Sequence, residues 1–141
     1  MRIAFYAPMK APDDPVASGD RLVARNLVAA LEQGGHEVAL VSRFRSYDRG
    51  HRERQARLAR LGARLAARLG RVLAEPSRRP DLWFTYHLYH KAPDHLGPAV
   101  AAALAIPYAV AEASVAQKQL GGRFDTGYRA SLAALARADC V

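Results

Sequence analysis

The chain has 141 residues, 50% of them hydrophobic and 24% charged, which is enough for one domain with a real core and excludes disorder. A formal net charge of +8 favours anionic partners, and a single cysteine, Cys140, excludes an intrachain disulfide. No apolar stretch reaches the length of a membrane span, and the run Ile3 to Ala7 is too short for a signal peptide before Pro8 stops it, so the expected location is cytoplasmic, with attachment at a membrane surface left open.

Arg2 to Ala7 is a nearly continuous apolar run and reads as a buried strand of a parallel sheet. Pro8, Pro12 and Pro15, with Asp13 and Asp14, break regular structure after it. Ser18 is placed to cap a helix over Asp20 to Gln33, and Asp20 complements the helix dipole in its first turn. Val23, Leu27, Ala30 and Leu31 fall on one face of that helix, and Gly34-Gly35 ends it. His36 to Val41 reads as a second strand, completing a βαβ unit.

The polar segment Arg43 to Gly50 reads as a loop, and Arg52 to Glu75 as a long helix. Leu58, Leu61, Leu65, Leu69 and Val72 form its apolar stripe. Arg57, Arg60, Arg64, Arg68 and Arg71 form a second stripe, about 100° around the helix. Pro76 and Pro80 end that segment. Leu82 to Tyr86 is the third strand, followed by a loop carrying His87, His90, Asp94 and His95. Leu96 to Ala105 reads as an Ala-rich helix and Tyr108 to Ala111 as the fourth strand. Glu112 to Arg123 reads as a polar loop, and Asp125 as the cap of a last helix over 126–138. Asp139-Cys140-Val141 looks like the start of a fifth strand, so the chain is expected to be a piece of a longer protein. The pattern predicts a three-layer Rossmann-like α/β domain with a mostly parallel sheet.

The segments MRIAFYAP (1–8), SGDRLVARNL (18–27) and GGHEV (34–38) resemble the opening of family 4 (group 1) glycosyltransferases. DLWFTYH (81–87) and AIPYAVAE (105–112) look like that family's next two strands, in the same order. The resemblance implies the N-terminal half of a retaining enzyme of GT-B fold. Such enzymes face two Rossmann-like domains across a cleft. The N-terminal domain mainly binds a hydroxyl acceptor, and the C-terminal one holds the nucleotide sugar with an E-x7-E motif. This sequence holds no such second domain, so the resemblance implies a chain that does not transfer sugar by itself. It implies a nucleotide-sugar donor as substrate, with neither cofactor nor metal.

Gly19 is the first candidate residue, because free N–H groups at a helix start can approach a phosphate. The resemblance puts it on the donor's phosphate side; the competing reading is a glycine needed only for the turn. The fingerprint G-x-G-x-x-G is absent, which speaks against dinucleotide binding. His87, just past the third strand, carries over to a histidine that contacts the transferred sugar near the reaction centre. Its competing reading is a structural loop histidine. His87 and His90, with Asp94 and His95, make a metal conceivable, but no confirmed helix or cysteine supports it. Glu112 stands where many relatives carry a histidine-containing motif, so its role as an acceptor ligand departs from the family pattern. A capping glutamate, or one salt-bridged to Lys118 or Arg123, is its alternative. Lys118 and His90 complete the expected acceptor pocket.

The arginine stripe suggests contact with an anionic membrane surface, weighed against a solvated helix face. No aromatic-interleaved basic platform appears, which weakens nucleic acid. Cys140 has no visible base partner and is not read as a nucleophile. Two other functions stay open: a stand-alone α/β binding module, and a membrane-surface adaptor acting through the basic helix.

Overall fold

The computed structural model describes residues 1–141. Four strands, β1 (Arg2–Tyr6), β2 (Glu37–Ser42), β3 (Leu82–Tyr89) and β4 (Tyr108–Ser114), form one sheet in the order β2-β1-β3-β4. Every pairing is parallel. The helices are α1 (Gly19–Gln33), α2 (Arg52–Leu73), α3 (Gly97–Leu104) and α4 (Asp125–Arg137), with a short 3₁₀ turn at Gln117–Gln119. None is long and apolar enough to cross a membrane.

The expected apolar run became the centre of the sheet. Ile3, Ala4, Phe5 and Tyr6 are all buried, because β1 is paired on both edges and covered on both faces. Alternation along β1 feeds two cores. Ala4 and Tyr6 join Trp83, Leu88, Val100, Leu104 and Tyr108 under α2, α3 and α4. Phe5 and Ala7 join Ala24 and Tyr86 under α1. The domain is therefore three-layered, with α1 on one face and the other three helices on the opposite one.

The caps follow the sequence closely. Ser18 accepts from the Arg21 N–H at 3.2 Å, and Gly35 adopts φ +82° just past α1. Asp125 differs from expectation. It is the first residue of α4, and its carboxylate accepts from the Gly121 N–H at 2.8 Å and pairs with Arg129. It therefore closes the preceding turn rather than capping its own helix. The five arginines of the α2 stripe are all exposed, and none is within ion-pair distance of a carboxylate.

After α4 the chain begins to pair beside β4. The Asp139 N–H donates to the Tyr108 carbonyl at 2.8 Å, and the Val110 N–H to the Cys140 carbonyl at 2.9 Å. Cys140 itself is exposed.

Candidate functional site

The strand order reverses between β1 and β3. The chain leaves β1 toward β2 on one side and passes from β3 to β4 on the other. Such a switch point opens a crevice at the carboxyl ends of the strands, where ligands bind in open α/β sheets. The N-terminus of α1 and the far ends of β3 and β4 meet there.

Two strand ends differ from expectation. β3 continues three residues past Tyr86 and β4 three residues past Ala111, so His87 and Glu112 lie within strands rather than beyond them. The reason is a shared backbone irregularity. His87 has φ +62° and Glu112 φ +61°, left-handed values that non-glycine residues rarely adopt. The two are neighbours, since Tyr86 pairs with Ala111 and Leu88 with Ala113. Each left-handed residue shifts its strand's alternation by one. Trp83 and Thr85 face the larger core, but the next residue to enter it is Leu88 rather than His87. On β4, Tyr108 and Val110 are followed into that core by Ala113 rather than Glu112. His87 and Glu112 are thereby turned out of the core at the carboxyl edge of the sheet.

A left-handed conformation costs a non-glycine residue about 1–2 kcal/mol. His87→Gly is therefore expected to be about 1 kcal/mol more stable than His87→Ala in urea unfolding. Equal stability of the two variants would show that no strain is held there.

His87 is fixed by α1. Its Nδ1 lies 2.8 Å from Asp20 Oδ1, and the side chains are 19% and 29% exposed. A carboxylate only accepts, so Nδ1 carries a proton and Nε2 is the ring atom left to face a ligand. The ring also stacks on Tyr89, with centroids 4.9 Å apart. Tyr86 lies beneath it, fully within the α1-side core. Burial, then the neighbouring Glu112 carboxylate and Asp20, push the Tyr86 hydroxyl up to about 12. Tyr86 is thus held as a neutral donor facing two carboxylates.

Glu112 is exposed and makes no ion pair with Lys118 or Arg123, which removes the salt-bridge alternative. Gly19 is the first residue of α1 and is also exposed. A Cβ there would meet nothing within 4 Å, and its φ is not left-handed, so neither space nor backbone requires glycine for the turn. Beside it lies a groove of about 460 Å³ that includes Ser18, Arg21, Leu22 and Arg25.

His90 belongs to a second part of the same edge. An aromatic series runs from His87 through Tyr89 to His90 and Phe124, with centroid steps of 4.9, 5.3 and 5.0 Å. Burial, then Lys91 and Lys118, hold the His90 imidazolium form below its usual range. Lys118 lies on the 3₁₀ turn and is exposed.

The four residues considered for a metal are dispersed. His87 faces Asp20, His90 faces Phe124, and the His95 side chain packs over Gly62 on α2. Asp94 is buried and accepts from Thr85, Tyr108 and the N–H groups of Leu96 and Gly97. It is a structural carboxylate that starts α3.

Sequence reasoning missed the positioning role of Asp20, which it read only as a dipole partner. It also missed Tyr86 and Tyr89, whose apolar strand context masked their place at the edge. A signal was present: the aromatic and histidine residues 86, 87, 89 and 90 form a run too polar for a strand core. No protein-family model, curated protein or solved structure matches the chain.

Proposed function

We propose that this chain is the acceptor-side domain of a retaining GT-B glycosyltransferase, the parent of which moves a sugar from a nucleotide-sugar donor to a hydroxyl acceptor. The observation that carries the reading is the pair His87 and Glu112, turned out together at the carboxyl edge of the sheet beside the switch point by a matched backbone irregularity. Strained residues that persist at a ligand-binding edge are a recurrent mark of function. The ordered resemblance of five sequence segments points the same way.

In this reading His87 is the residue nearest the reacting sugar. Asp20 orients its ring, leaving Nε2 to face a sugar hydroxyl. Glu112 receives an acceptor hydroxyl, and His90 and Lys118 line the rest of the acceptor pocket. The open start of α1 at Gly19, flanked by Arg21 and Arg25, faces the donor's phosphates. Stabilisation of the departing diphosphate, the largest catalytic effect, falls mainly to the second domain. This chain binds and orients.

The test begins with the gene's downstream reading frame. A second Rossmann pattern with an E-x7-E motif supports the proposal, and a stop codon directly after Val141 overturns it. In the full-length product, His87→Ala is expected to lower kcat for sugar transfer at least roughly 10²-fold. Unchanged turnover would remove His87 from the reaction centre.

A further inference from the structure

We infer that the acceptor carries an anionic group, a phosphate or carboxylate, received by Lys91, Lys118 and Arg123 around Phe124. This rests on the proposed acceptor role of the domain and names the class of acceptor.

Two of the cations, Lys91 and Arg123, meet on one aromatic ring, and the field of the third reaches the neighbouring His90. Arg123 Cζ lies 5.0 Å from the Phe124 ring centroid and Lys91 Nζ 5.7 Å from it. Lys118 acts on His90 together with Lys91, and the His90 ring lies 5.0 Å from Phe124. None of the three cations forms an ion pair with a carboxylate. Like charges gathered without a counter-charge repel one another, and an anion placed among them offsets that repulsion. The buried Nδ1 of His90 has no hydrogen-bond partner, so the cluster also holds unused polar capacity.

The position relative to His87 gives the cluster its meaning. The aromatic series connects the two ends of one edge. Pyranose rings lay their apolar C–H faces on aromatic side chains, and Tyr89, stacked on His87 at one end of the series, is the ring placed for such a contact. A reacting hydroxyl at His87 then places a distal anion at Phe124. The donor's own phosphates sit elsewhere, at the Gly19 groove on α1.

The decisive experiment is a titration of the 141-residue chain with maltose 1-phosphate, maltose and inorganic phosphate, followed by the histidine ring signals in NMR. Maltose 1-phosphate is expected to bind at least tenfold more tightly than maltose and to shift both His87 and His90. The exposed double variant Lys118→Ala/Arg123→Ala is expected to remove that tenfold advantage, with its thermal unfolding checked alongside. Equal affinity for maltose and its phosphate, with His87 shifted, overturns the anion inference and leaves the acceptor reading standing. An advantage that survives the double variant also overturns it. Phosphate-dependent shifts at His90 alone, with maltose inert, support the anion site and overturn the acceptor role of His87. Phosphatidylglycerol vesicles that displace maltose 1-phosphate place the anion on a lipid; vesicles that do not displace it leave the anion on a soluble acceptor.

Discussion

Asp94→Ala is expected to destabilise the domain by about 3–5 kcal/mol, because four buried donors lose their acceptor at about 1–3 kcal/mol each, offset in part by no longer burying the carboxylate. Asp94 is 3% exposed and serves four donors. Oδ2 accepts from Thr85 Oγ1 at 2.6 Å and from the Tyr108 hydroxyl at 3.0 Å. Oδ1 accepts from the Leu96 and Gly97 N–H groups at 2.8 and 2.7 Å. Thr85 in turn accepts from the Trp83 indole at 2.9 Å. Burial, and then this carboxylate, push the Tyr108 hydroxyl far above its ordinary range, so it stays a donor. Alanine would leave two hydroxyls and two N–H groups without a partner, in the contact between β3, β4 and the start of α3. Thermal unfolding is expected to fall by roughly 10–15 °C. Asp94→Asn keeps an oxygen for the two N–H groups and is expected to lose less than half as much. A loss below about 1 kcal/mol for the alanine variant would mean that water replaces the carboxylate.

Gly127→Ala is expected to cost about 3 kcal/mol, near the upper end for overpacking a core. An added Cβ would lie 2.0 Å from the His90 carbonyl oxygen and 3.0 Å from its carbon. Both are backbone atoms, so no side-chain rotation relieves the clash. Either α4 or the segment after β3 must move, and the latter carries His90. The variant is therefore expected to shift the His90 ring signal as well as to lower the urea midpoint. Gly19→Ala is the matching control. Its Cβ meets nothing within 4 Å, and its stability is expected to stay within about 0.5 kcal/mol of the parent. A neutral Gly127→Ala would mean that α4 is free to slide along β3.

The fold was legible because its strongest signals are local. The β1 run is apolar at consecutive positions since both of its faces are covered, and Ser18 and Gly35 mark the ends of α1 by their own chemistry. The candidate edge was legible only in outline. His87 and Glu112 were visible as polar residues near strand ends, but not as residues within strands. Alternation is the signal from which a strand is read, and a left-handed residue shifts that signal by one position. By alternation alone β3 ends at Tyr86 and β4 at Ala111, the two points where the phase changes. Asp20 was hidden for another reason. Its partner is 67 residues away, and no local pattern joins α1 to β3. The structural role of Asp94 was hidden likewise, because Thr85 and Tyr108 reach it from two different strands.

The matched irregularity at His87 and Glu112 also sets how this edge tolerates changes in length. Deleting either residue alone would set one strand a step out of phase with its neighbour, so that Leu88 or Ala113 would lose its opposite number and its place in the core. Deleting both would leave Tyr86 beside Ala111 and Leu88 beside Ala113, as they are now. The two positions, 25 residues apart in the chain, therefore act as a single unit of spacing. Descent of this domain would be expected to gain or lose them together, and a relative lacking one would be expected to lack the other.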